Sequence, residues 1–199
     1  MRSGAIAAAC AVAWCVPHAA RADDAPGPLL QPTERVAATG WFAEGGLGAV
    51  GFLSGASSDA AVGPSIDLRF GRDLFSWLSV GVFLAMSTHE ATVPPPPTDE
   101  YFQLYRGGGD VRIGARIHRI SLFLEAGVGV SYISTNVLDT VMITKPGNYA
   151  SLALQGGAGI EYQLENRHYG FGLAGDACLQ PGFASLKVVD GRLYLRYTY

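Results

Sequence analysis

Few residues in this chain have the types and spacing that chemistry requires, and each of those carries a competing structural reading. Ser87, His89 and Glu90 supply a hydroxyl, an imidazole and a carboxylate, the groups of a hydrolytic site. A base must come within about 3 Å of its nucleophile. Two residues on one face of a strand stand roughly 6 to 7 Å apart, so the spacing predicts an ordinary polar strand end. Gly46-Leu47-Gly48-Ala49-Val50-Gly51 matches G-x-G-x-x-G, with Asp67 further on. A dinucleotide site would need a helix to begin there, so that its N-terminus meets the pyrophosphate. Phe52 to Pro64 is rich in glycine and serine and closes on proline, which predicts no helix. His118 and His168 sit in separate turns with no second ligand at metal spacing. Cys178 reads as a small residue filling space beside Asp176. No catalytic, cofactor-binding or metal-binding residues are therefore expected.

The elements that carry these residues are strands. From Thr39 onward apolar residues recur with period two, the signature of a half-buried strand. In Ser65 to Gly71, Ile66, Leu68 and Phe70 alternate with Ser65, Asp67 and Arg69. In Gly109 to His118, Val111, Ile113, Ala115 and Ile117 alternate with Asp110, Arg112, Gly114 and Arg116. From Ile120 to Tyr132, Ile120, Leu122, Leu124, Ala126, Val128, Val130 and Tyr132 form one face. The pattern predicts eight strands, at 40–50, 64–71, 77–87, 104–117, 120–133, 149–163, 169–178 and 187–199. Most reach the 9 to 11 residues or so that a tilted strand needs to cross a bilayer. Short links at Arg72 to Ser76, His118-Arg119 and Leu164 to His168 alternate with mostly longer ones at Gly51 to Gly63, Thr88 to Gln103, Ser134 to Asn148 and Leu179 to Leu186. A two-residue hairpin at His118-Arg119 sets Ile117 opposite Ile120, on the same face.

Alternation alone does not say which face is outside. In a soluble ligand-binding barrel the apolar face points inward; in a membrane barrel it points to lipid. Three features favour lipid. The polar face is small, with Gly46, Gly48, Ser79, Gly81, Gly127, Gly129, Gly157, Gly159, Gly170 and Gly172, as a narrow eight-stranded bore requires. Its charges balance: Glu44, Asp67, Asp110, Glu125, Glu161, Asp176 and Asp190 against Arg69, Arg106, Arg112, Arg116, Arg192 and Arg196. Buried charges persist only when paired. Aromatic residues gather at both ends of the apolar face, with Phe70, Tyr162, Tyr169, Phe171 and Tyr197 toward the short turns and Tyr105, Tyr132 and Tyr149 toward the long links.

Composition agrees. The chain has 199 residues, one domain's worth, with 49% hydrophobic and only 16% charged residues, against about 25% charged in a typical soluble domain. Past the N-terminus no run of about 18 apolar residues offers a transmembrane helix. Residues 1–22 read as a signal peptide: Arg2, an apolar core from Ala5 to Val16, and Ala20-Arg21-Ala22 for cleavage before Asp23. Trp14 before Cys15, and the early position of Cys10, speak against a lipoprotein. Cleavage would leave Cys178 alone, so no internal disulfide. It would also leave 12 basic against 17 acidic residues, a net charge of −5, which does not favour nucleic acid. Residues 23–38, with Pro26, Pro28 and Pro32, read as a flexible leader, and 39–199 as the barrel.

The end of the chain adds a fourth feature. Leu193, Leu195, Tyr197 and Tyr199 alternate with Arg192, Tyr194, Arg196 and Thr198, which resembles the C-terminal signal read by the bacterial barrel assembly machinery. Residues 39–199 resemble the small OmpA/OmpX-type barrels, with no long shared motif. The resemblance implies an all-β fold, an eight-stranded antiparallel up-and-down transmembrane β-barrel in the outer membrane of a Gram-negative cell. It implies lipopolysaccharide and phospholipid as surroundings. No peptidoglycan-binding domain is expected after the barrel, a departure from full-length OmpA. Some such barrels modify lipid A, and one group uses His-x-Ser; here the order is reversed. The expected function is a structural or loop-mediated interaction protein with a plugged, charge-paired lumen, not an enzyme. A lipid-modifying enzyme, a channel for small hydrophobic molecules and a soluble periplasmic lipocalin-like binding protein are the alternatives. The candidate extracellular contacts are Pro94-Pro95-Pro96-Pro97, which equally suits a stiff spacer, Asp99-Glu100-Tyr101-Phe102, and the region of Met142 and Lys145.

Overall fold

The computed structural model describes residues 39–53, 60–92, 101–134, 149–183 and 186–199. Eight strands follow one another: β1 (Trp41–Leu53), β2 (Gly63–Phe75), β3 (Leu78–Glu90), β4 (Tyr101–Ile117), β5 (Ile120–Ile133), β6 (Ala150–Gln163), β7 (Tyr169–Gln180) and β8 (Leu186–Thr198). Each pairs antiparallel with its chain neighbours, and β8 returns to β1 to close the barrel. The closing seam runs from Phe42 opposite Thr198 to Leu53 opposite Lys187. Closure satisfies the backbone along every strand, which a spanning sheet in hydrocarbon must do.

The strands run longer than the alternation predicts, chiefly at their long-loop ends. β4 starts at Tyr101 rather than residue 104, and β3 continues to Glu90 rather than residue 87. Pairing of His89 with Phe102 and of Glu90 with Tyr101 carries both strands outward. At the other end β2 continues through Arg72 and Asp73 to Phe75, where a link was expected. A register shift between Asp73 and Phe75 accommodates this, and the turn is Ser76-Trp77. The His118-Arg119 turn is as expected: Ile117 faces Ile120. His118 takes φ 57° there, the positive value that a tight twisted hairpin demands.

The two faces separate cleanly. Leu47, Leu84, Leu124 and Leu193 point outward, and Leu124 is 67% exposed. Exposed apolar side chains of this kind circle the barrel on all eight strands, far beyond the few hundred square ångströms that a soluble monomer usually shows. The outward residues near the short turns are aromatic. Trp41 stacks on Phe70 at 5.6 Å, Phe75 on Trp77 at 5.5 Å, and Tyr162 packs against Phe171 at 5.4 Å. Near the long loops Tyr105, Tyr132 and Tyr149 form a second group. Among the described residues no helix is long and apolar enough to cross a membrane.

Candidate functional site

Among the described residues polar side chains converge in the lumen, which has three layers. The middle layer is ionic. Glu125 on β5 accepts hydrogen bonds from Arg69 at 2.9 Å, from Arg112 at 3.2 Å, and a short one from Arg192. Arg69 also donates to Asp110 at 2.6 Å, and Arg192 to Asp176. Glu44 lies 3.1 Å from Arg112 and 3.9 Å from Arg69. These groups are almost wholly buried. At that depth charges survive because each guanidinium fork meets more than one carboxylate. Arg106 and Asp190 form a separate pair nearer the long loops. Asp67 differs: it is 4% exposed, and its Oδ2 has no hydrogen-bond partner among the described residues.

Aromatic rings hold the middle layer in place. The Arg112 guanidinium lies 4.1 Å from the centre of the Phe123 ring and 5.4 Å from that of Tyr194. The Tyr194 hydroxyl donates to Glu161 at 3.2 Å. Gly159 lies under Phe123 and Gly172 under Tyr194; a Cβ at either position would collide with the ring. The inward glycines thus have a specific use, making room for two edge-to-face rings that both contact one cation.

The outer layer is apolar. Val50, Phe52, Phe102, Leu104, Ile133, Ala153, Cys178, Phe183, Leu186 and Val188 form one buried cluster inside the long-loop end. At this level the inward phase is largely apolar, where alternation predicts a polar face throughout. Phe102, expected among the exposed contacts of Asp99 to Phe102, is fully buried (0% exposed); Asp99 and Glu100 lie outside the described residues. So do Pro94 to Pro97, Met142 and Lys145.

Ser87 and His89 border this cluster. His89 Nε2 lies 2.8 Å from Ser87 Oγ, and Nδ1 lies 3.0 Å from the Ala61 carbonyl oxygen. The expectation that one strand face keeps them apart is wrong. The imidazole leans along the strand and spans the gap that the backbone leaves. With Nδ1–H donating to the carbonyl, Nε2 accepts the serine proton. Phe52 packs on the imidazole at 4.6 Å and Phe102 at 5.3 Å, and both partners are buried, Ser87 at 2% and His89 at 1% exposed. The expected placement of the other candidates holds. Gly46 to Gly51 lie within β1, and residues 54–59 after it lie outside the described residues. His118 is in its turn. His168 Nδ1–H donates to the Thr198 carbonyl oxygen at 2.6 Å. Cys178 is buried, with Gln180 Nε2 at 3.9 Å. No cluster of metal-ligating side chains occurs among the described residues.

The inner layer, at the short turns, is open. A cavity of 670 Å³ is lined by Asp73, Trp77, Arg112, Arg116, Glu161 and Arg196, among others. Arg196 bonds Asp73 at 2.5 Å and lies over Phe42 at 3.9 Å. Asp73 had been assigned to a link; as part of β2 it becomes an eighth inward carboxylate.

A closed sheet with an apolar outside and a charged inside is satisfied in one environment, the hydrocarbon of a bilayer. The molecule is a transmembrane β-barrel of the outer-membrane class. No protein-family model matches the sequence, and no curated protein is similar to it. Solved structures are similar in fold. Neisserial surface protein A matches with a TM-score of 0.60 at 15% identity, over 81% of this chain and 98% of its own. The outer membrane protein OprG from Pseudomonas aeruginosa matches with a TM-score of 0.55 at 14% identity, over 82% of this chain and 97% of its own. The outer membrane enzyme PagL is more distant, with a TM-score of 0.45 at 16% identity, over 79% of this chain and 99% of its own. The chain has the fold of the small eight-stranded outer-membrane barrels.

Proposed function

We propose that this protein is a closed outer-membrane barrel that acts structurally and through contacts of its long loops. The carrying observation is the filled bore, ionic across the middle and apolar below the loops. Eight strands enclose an interior only just wide enough for side chains, and here side chains occupy it. Conduction would require breaking the contacts of Glu125 or displacing the Phe52 and Phe102 rings. Residues 1–22 act as an export signal, 23–38 as a leader, and the β8 strand as the element read by the assembly machinery. Lipopolysaccharide and phospholipid surround the apolar belt.

The barrel reconstituted in a planar bilayer should give no stepwise conductance, and regular steps would refute the closed lumen. For the loops, a photo-crosslinker introduced between Val93 and Glu100 in living cells should yield specific adducts. Deletion of Val93 to Glu100 should keep the heat-dependent gel mobility of a folded barrel. Absence of adducts would refute loop-mediated contact.

The Ser87–His89 hydrogen bond favours a second reading, a lipid-active hydrolase. Against it stand the burial of both groups and the lack of a carboxylate on His89 Nδ1. Mass spectrometry of lipid A from expressing cells distinguishes the two. Unchanged acylation supports the structural reading; a change lost in Ser87→Ala supports the enzyme.

A further inference from the structure

The cavity at the short-turn mouth differs from the layer above it in how loosely one of its charges is held. Three guanidiniums line it, those of Arg112, Arg116 and Arg196, beside two carboxylates, Asp73 and Glu161, and Arg112 is also held from the layer above by Glu44 at 3.1 Å and Glu125 at 3.2 Å. Asp73 is already occupied, by Arg196 at 2.5 Å and by the Ser79 hydroxyl at 2.5 Å. Glu161 is divided among all three arginines, at 3.6 Å from Arg112, 3.6 Å from Arg116 and 3.8 Å from Arg196, and also accepts from Tyr194. Arg116 comes off worst. Its one ion pair is the long contact to Glu161, it makes no hydrogen bond among the described residues, and its side chain is 30% exposed to the cavity mouth. Every other inward arginine donates at least one hydrogen bond to a carboxylate.

We propose that this vestibule is a binding site for a small oxyanion, a carboxylate or phosphate on a compact apolar body, entering from the short-turn side and held by Arg116. A guanidinium offers a planar fork that fits either anion. A recess with low-dielectric walls concentrates the field of a loosely paired cation. The volume lies in the range of small-molecule sites, roughly 300–1,000 Å³. Phe123 supplies an apolar wall, with Phe75 and Trp77 at the rim, and Ser121 sits directly across the β4–β5 pair from Arg116. The layers above block onward passage, so the site binds without conducting.

The test is calorimetric titration of the folded full chain, in a nonionic detergent at low salt, with phenyl phosphate, benzoate and benzyl alcohol. Saturable binding of at least one anion, weakening with added salt, and none of the alcohol is expected. Arg116→Gln should weaken that binding at least tenfold, and Ser121→Phe, which crowds the mouth without touching a charge, should abolish it. Heat-dependent gel mobility checks that each variant is folded. No saturable anion binding, equal binding of benzyl alcohol, or wild-type affinity in whichever variant folds would overturn the proposal.

Discussion

The two ends of this lumen are built from the same inward strand positions, yet one is closed by contact and the other left open by charge. At the long-loop end Phe52, Phe102, Leu104 and Ile133 meet across the bore and bury one another. At the short-turn end Arg112, Arg116, Arg196, Asp73 and Glu161 stand around an open space. Apolar side chains gain by touching, so they close a gap. Charged ones lose hydration when buried and resist closure unless each is fully matched. The ionic layer between the two ends is where matching is most complete, and it is correspondingly filled. Choice of inward residue thus sets how wide each level of a fixed bore remains.

The largest effect is expected from the matched layer. Glu125→Gln leaves Arg69, Arg112 and Arg192 short of a shared counter-charge and should cost about 4 kcal/mol of unfolding free energy, measured by urea titration of the barrel in lipid vesicles. In the outer cluster, Leu104→Ala should cost about 3 kcal/mol by loss of apolar contact and the cavity left behind. If the two layers are independent, the double variant is additive to within about 0.5 kcal/mol; a larger coupling would break the comparison by making them one structure. Ser87→Ala removes a hydroxyl from buried His89 and should cost about 1.5 kcal/mol. Arg119→Ala cuts the exposed pair with Glu165, held at 3.1 Å, and should leave the urea midpoint unmoved, as surface pairs contribute little.

The strands, their order and their inward phase were legible because period two is set by the backbone and a narrow bore tolerates few side chains. Ile117 and Ile120 flanking one tight turn were enough to fix a register. The outer cluster was hidden because alternation fades there. Ala49-Val50-Gly51-Phe52-Leu53 is apolar on both faces, and so is Val188-Val189. That fading beside a long link was the available signal. Which arginine meets which carboxylate depends on strand stagger around the barrel, which no local pattern encodes: Arg69 on β2 reaches Glu125 on β5, and Arg196 on β8 reaches Asp73 on β2. The His89–Ser87 contact is not legible from backbone spacing because the reach of the imidazole along the strand decides it.

Seven of the eight strand pairings join neighbours in the chain, and one joins the first strand to the last. Hairpins close cheaply; that last pairing must bring together segments separated by most of the chain. Until it forms, β1 and β8 are raw edges open to any other strand. Arg192 and Arg196 ride on β8, and until it docks Glu125, Asp176 and Asp73 lack those cations. Sealing the wall and neutralising the interior therefore coincide, and assembly should finish in a single all-or-none step in which a half-shut barrel is never a resting place.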